Sequence, residues 1–199
     1  GVFREHAQKL IFAEIITTLD SIRVEFGVHF NEKSLYEGGQ IDEVIEDLRG
    51  RELVYEGEGA VWLASTKLSL DRDRVLVKST GEPTYLLPDI AYHLDKFKRG
   101  FDHVIDVLGA DHIEQFPFVQ KAVGALGIDS TKMELVMHQF VTITSKGEKV
   151  KQSTRRATFV TVDELVEEGG ADVFRFFMIE RKPEGHLDFD LDLAKDQNW

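Results

Sequence analysis

Tyr85 and Asp89 stand four residues apart in the run Thr84-Tyr85-Leu86-Leu87-Pro88-Asp89-Ile90-Ala91-Tyr92-His93. At the start of a helix that spacing lets both side chains face one point. A carboxylate offers bidentate acceptors and a phenol offers a ring face or an oxygen. Together they suit a planar cation. The structural alternative is that Asp89 complements the positive end of the helix, with Tyr85 an aromatic at the edge of the core.

A second group, Val107-Leu108-Gly109-Ala110-Asp111-His112, falls where an apolar strand gives way to a helix. Ligands of open α/β sheets bind at that edge, and a glycine there lets a ligand approach the backbone. Asp111 can accept from ribose hydroxyls. His112 can donate to a carboxylate or accept from an amine. A tight turn with Asp111 as helix cap is the alternative.

A third stretch, Lys146 to Arg156, carries Lys146, Lys149, Lys151, Arg155 and Arg156 against the single acid Glu148. Mobile cations after a strand suit a polyphosphate, whose charge grows during phosphoryl or nucleotidyl transfer. A solvated surface hairpin would show the same composition. Asp89 and His93 share the four-residue spacing that can place two metal ligands on one helical face. No dense motif of the His-Glu-x-x-His kind accompanies them, so metal binding stays a minor reading.

The elements that must position these groups follow from periodicity. Helical spacing of apolar residues covers about the first 22 positions, and Val24 to Phe30 alternates as a short strand does. A break at Gly38-Gly39 precedes a short acidic helix over Ile41–Arg49. Leu53–Tyr55 and Ala60–Ala64 read as a hairpin around a Gly57–Gly59 turn. Arg74–Lys78 is a strand ending at the turn before Pro83. From Tyr85 onward helices alternate with strands, the pattern of a parallel α/β sheet. Helix is expected over Leu86–Arg99, a strand buried on both faces over His103–Leu108, and helix over Asp111–Leu126. A strand over Glu134–Thr144, a helix capped by Thr161 with Glu164 in a capping box, and a helix over Ala171–Arg181 complete the series.

The 199 residues are 42% hydrophobic and 30% charged, ordinary for a globular protein. A formal charge of -12 argues against a domain that holds nucleic acid by bulk charge. The absence of cysteine removes disulfides, thiolate chemistry and Cys-ligated metal. No apolar run reaches the roughly 18 residues of a membrane span, and residues 1–6 do not begin a signal peptide. The chain enters a helical pattern at once and ends in mid-pattern, as an excised piece would.

Taken together the motifs resemble the arginyl-tRNA synthetases. The resemblance rests on residues 73–97, on Gly109-Ala110-Asp111-His112 after its strand, and on Phe159-Val160-Thr161 with Asp163–Glu168. It also rests on His186-Leu187-Asp188-Phe189-Asp190-Leu191-Asp192-Leu193-Ala194-Lys195. It implies an α/β fold: the second half of a class I Rossmann-type catalytic domain, a parallel sheet with flanking helices, plus a smaller α+β insertion with short antiparallel strands. Residues 1–82 would form the helix and insertion region, and 83–199 the second Rossmann half. The implied reaction joins L-arginine and ATP into arginyl-adenylate, then passes the arginyl group to tRNA(Arg) in the cytoplasm. ATP, accompanied by Mg2+, would be a substrate, with no tightly bound cofactor and no membrane partner.

The resemblance also assigns residues. Tyr85 and Asp89 match positions that recognise the arginine side chain, with Glu32 a further acidic contact, and a five-donor fork fits carboxylates. His112 matches a position near the α-amino end. Gly109 and Asp111 match the ATP-ribose turn, and His138 and Val141 lie where a strand edge meets the adenine. Lys151-Gln152-Ser153-Thr154-Arg155 occupies the place of the Lys-Met-Ser-Lys-Ser signature, so Lys151, Ser153 and Arg155 are the catalytic candidates, with Lys151 also on ATP. Gln152 and Thr154 depart from that signature. The His-Ile-Gly-His signature and the anticodon-binding domain lie outside these residues, so the chain alone is expected to be inert. Two other classes compete: a non-catalytic arginine- or nucleotide-binding module, and a metal-dependent hydrolase built on the His and Asp residues. A sheet edge left open by truncation would favour self-pairing.

Overall fold

The computed structural model describes residues 1–150 and 160–195. The chain forms two compact units, residues 30–138 and residues 1–29 with 139–199. They cut across the division at 82/83.

The unit of residues 30–138 opens on a short helix, α2 (Lys33–Glu37), followed by α3 (Gln40–Gly50). Gly39 adopts φ 77°, a left-handed turn that sets α3 off from α2. Ile41, Val44 and Leu48 recur at helical spacing and are buried, with Asp42 and Glu43 at the positive end and Arg49 at the negative end. β1 (Val54–Gly57) and β2 (Ala60–Leu63) pair antiparallel, and β3 (Arg74–Val77) joins β2. Glu58 and Gly59 both have positive φ, 55° and 73°, the turn geometry that matches hairpin twist.

α4 (Leu86–Lys98) buries Leu86, Leu87, Ile90 and Ala91, keeps Asp89, Asp95 and Lys96 partly buried, and exposes Lys98. It carries Asp89 in the first turn and Lys96 and Lys98 in the last, in agreement with the helix dipole. β4 (Val104–Gly109) and β5 (Met133–His138) pair parallel, in register from Val104↔Met133 to Gly109↔His138, and α5 (Phe116–Ala125) connects them. One core unites α3, α4 and α5, with Leu35, Leu48, Leu63, Leu76, Leu87 and Ile90 each 0% exposed.

The other unit contains α1 (Val2–Ser21), β6 (Val141–Ser145), β7 (Glu148–Lys149), α6 (Val162–Gly169), α7 (Ala171–Glu180), β8 (Leu187–Asp190) and α8 (Leu191–Lys195). β6 pairs antiparallel with β7 and parallel with β8. Its core gathers Ile22, Ile143, Leu165, Phe174, Phe177 and Phe189. The expected capping box is present: Glu164 N donates to Thr161 Oγ1 at 3.1 Å, and Thr161 N donates to Glu164 Oε2 at 2.7 Å.

Four local expectations change. Residues 24–30 form no strand, because their alternation finds no partner and Phe26 and Val28 stay exposed. β4 is buried on one face only: Val104 and Asp106 point inward, while Ile105 and Val107 are 56% and 64% exposed. The helix expected from Asp111 starts at Phe116, with Pro117 in its first turn, and a 3-10 turn spans Ala110–His112. The strand expected over 134–144 is broken at Gln139-Phe140 into β5 and β6, which belong to different units.

Candidate functional site

A cavity of about 340 Å³ opens in the unit of residues 30–138 between the start of α4, the end of β4 and the start of α5. Tyr85, Asp89, His93, Lys96, Asp106 and Gln115 line its polar part. Tyr85 immediately precedes α4 and is 82% exposed, so its ring is presented rather than packed. Asp89 lies on the first turn, one helical turn along, as the four-residue spacing requires.

Two carboxylates line the cavity, and their situations are opposite. Asp106, 7% exposed, has both oxygens occupied: Oδ2 stands 2.6 Å from His93 Nε2, and Oδ1 accepts from Lys96 Nζ at 2.6 Å. Burial pushes the Asp106 carboxyl up, but His93 and Lys96 outweigh it and hold it below the ordinary carboxylate value. Asp89 accepts at Oδ2 from Gln115 Nε2, a neutral donor. Among the described residues its Oδ1 takes no hydrogen bond. Burial raises its pKa, and the charge of Glu32 adds to the rise, against His93, Gln115 and Lys96, which lower it. A half-buried carboxylate without a cation of its own is the group that gains most from a cationic ligand.

Both nitrogens of His93 are engaged. Nδ1 donates to the Asp89 carbonyl at 2.7 Å and Nε2 faces Asp106. The pair Asp89–His93 therefore supplies no free imidazole for a metal, and among the described residues no three His, Asp or Glu side chains gather as a metal-binding group. Lys96 also lies over the Tyr92 ring, 4.7 Å from its centroid, and Tyr92 stacks on Phe30 at 4.2 Å. That stack ties the segment carrying Glu32 to α4. Glu32 is exposed, precedes α2 and acts on Asp89 through space without lining the cavity.

Three of the candidate nucleotide residues, Gly109, Asp111 and His138, lie where β4 and β5 end. A Cβ built on Gly109 would meet Asp111 Oδ1 at 2.6 Å and His138 Cε1 at 3.8 Å, so only glycine leaves the Asp111 carboxylate its place. His112 lines the cavity, and its Nε2 is 3.5 Å from Asp111 Oδ2. His138 ends β5 as the register partner of Gly109. Val141 begins β6 in the other unit, paired with Leu187. Lys151, Ser153 and Arg155 lie outside the described residues.

Sequence reasoning weighed His93 only as a metal ligand and missed three participants: Lys96, Asp106 and Gln115. An Asp inside Val104-Ile105-Asp106-Val107-Leu108 is itself a signal, because a buried carboxylate needs a partner. His93 and Lys96, three apart on a helix, are the matching partners. Nothing in the sequence marks Gln115.

Residues 3–186 match the family model described as class I tRNA synthetases (R), catalytic domain. The arginine–tRNA ligase of Desulfotalea psychrophila is 54% identical over 196 residues, covering 98% of this chain and 36% of the relative. A crystal structure of a Campylobacter jejuni chain assigned as an arginyl-tRNA synthetase is 30% identical with TM-score 0.87. It covers 98% of this chain and 42% of that one. The Thermus thermophilus arginyl-tRNA synthetase shares the fold at 17% identity, TM-score 0.80, with 98% of this chain and 43% of that one covered. The chain thus spans about a third of the curated relative's length.

Proposed function

The chain belongs to the catalytic-domain family of the class I arginyl-tRNA synthetases, and from that premise we propose that its cavity receives the arginine side chain in an arginine–tRNA ligase. The observation that carries the reading is the contrast between the two lining carboxylates. Asp106 is satisfied by His93 and Lys96, whereas Asp89 keeps an oxygen open beside the exposed Tyr85. A guanidinium bonded to Asp89 Oδ1 and covered by the Tyr85 ring uses the planar fork that distinguishes arginine from lysine. Glu32 adds negative potential, and His112 faces the α-amino end.

In the complete enzyme the arginine carboxylate attacks the α-phosphate of ATP. Pyrophosphate leaves and arginyl-adenylate forms, from which the arginyl group passes to the 3′ end of tRNA(Arg). Gly109 and Asp111 receive the ribose, and His138 borders the adenine. Lys151, Ser153 and Arg155 act on the phosphates. ATP enters with Mg2+ as substrate, and the enzyme works in the cytoplasm. No helix among the described residues is long and apolar enough to cross a membrane. This chain alone does not activate arginine. Arginine-dependent ATP–pyrophosphate exchange tests the whole reading: the full-length protein should catalyse it and residues 1–199 should not. Exchange by neither would leave a binding module.

A further inference from the structure

Resting on the arginine reading of this cavity, we propose that His93 and Asp106 are positioning residues for Asp89. They fix the turn of α4 from which Asp89 reads the guanidinium. The geometry is a chain of three groups. Asp106, on β4, stands 2.6 Å from His93 Nε2; His93 Nδ1 donates at 2.7 Å to the backbone carbonyl of Asp89. The ring is 8% exposed and the carboxylate 7%. The link therefore runs through buried groups from the strand to the residue that meets the ligand.

The remaining contacts show what the link adds. Gln115 holds the Asp89 carboxylate at one oxygen from the start of α5, while the imidazole ties the carbonyl of the same residue, already part of the α4 backbone ladder, to β4 through Asp106. Lys96 neutralises the second oxygen of Asp106 and is itself 3.3 Å from His93 Nε2. Without Asp106, two basic side chains would face the cavity unbalanced and oppose a guanidinium. A buried ionic cluster is no better for stability than apolar packing of the same volume. Its placement directly beneath the ligand-reading turn gives it a use that packing does not explain. His93 touches both Asp89 and Asp106, and no contact with substrate is assigned to either His93 or Asp106.

The two ring nitrogens can be removed one at a time in the full-length ligase. In His93→Asn the amide nitrogen approximates Nδ1 and loses Asp106, while in His93→Gln it approximates Nε2 and loses the Asp89 carbonyl. Each should raise the arginine KM about tenfold, as the loss of one charge-assisted or buried hydrogen bond does, with the ATP KM within about twofold. In an Asp89→Asn background the further effect of His93→Gln should vanish, because it acts through Asp89. Additive effects, or a parallel rise of both KM values, would assign His93 to general stability and overturn the proposal. An unchanged arginine KM in both His93 variants, with Asp89→Asn still impaired, would overturn it while leaving the arginine reading intact. No effect of Asp89→Asn would instead remove the arginine reading. Thermal midpoints of every variant separate loss of folded protein from loss of recognition.

Discussion

Asp89 and Asp106 are joined by a single imidazole, His93, yet their acidities are displaced in opposite directions. Burial acts upward on both. Asp106 is overcompensated by a buried histidine and a lysine in direct contact, whereas Asp89 has only a neutral amide on its carboxylate and feels the second acid Glu32. The difference divides the cavity into a closed structural pair and an open acceptor.

Replacing Asp89 by Asn in the full-length ligase should raise the KM for arginine by about tenfold or more, the worth of a charged hydrogen bond of about 1.5–3 kcal/mol. The ATP KM should stay near the parent value. Steady-state exchange kinetics with each substrate varied in turn make the comparison, and equal effects would mark Asp89 as structural.

The raised pKa of Asp89 has a pH consequence. A guanidinium needs the ionised carboxylate, so kcat/KM for arginine should fall on acidification through a pKa above the ordinary aspartate value. An exposed Asp would lose binding only at lower pH. The dependence should disappear in Asp89→Asn, while kcat/KM for ATP keeps its own profile.

Asp106 should govern acid stability with the opposite sign. Its folded pKa lies below the unfolded value of 3.8, so its stabilisation is present above that value and is lost as pH falls through the folded pKa. Urea midpoints should therefore drop more steeply below about pH 4 in the parent than in Asp106→Asn. Parallel curves would deny the pair a role in acid unfolding.

Gly109→Ala places a methyl 2.6 Å from Asp111 Oδ1 and forces that carboxylate to move. The ATP KM should rise with the arginine KM little changed. The reverse pattern would move Asp111 out of the nucleotide site.

Thr161→Ala removes the acceptor for Glu164 N and one arm of the capping box. A loss of about 1 kcal/mol in unfolding free energy is expected, since one orphan donor at the start of α6 is left to water. Denaturant titration measures it, and no change would mean that the turn holds without its cap.

Local features were legible in the sequence because the atoms that make them lie three or four residues apart. The capping box at Thr161 and Glu164 is one. Others are the tight turn at Glu58-Gly59, the amphipathic helices over residues 40–50 and 86–98, and the placing of Tyr85 and Asp89 on adjacent turns. The resemblance added the family and roles for single residues. Strand 24–30 misled for the same local reason: alternation makes a strand possible, but only a neighbour with open hydrogen-bonding groups makes one form.

Residue types and spacing by themselves determined that an acid and a phenol would stand together at the head of a helix, and that a glycine would precede Asp111. Which acid remains open to a ligand was decided by the tertiary structure. Asp106 and Asp89 look alike as letters, and only the fold brings His93 and Lys96 onto one and Gln115, 26 residues further along the chain, onto the other. Helical and hairpin codes act over one turn of backbone. The pairing of buried charges depends on which elements pack face to face, and that sets the desolvation and the partners from which each carboxylate takes its acidity.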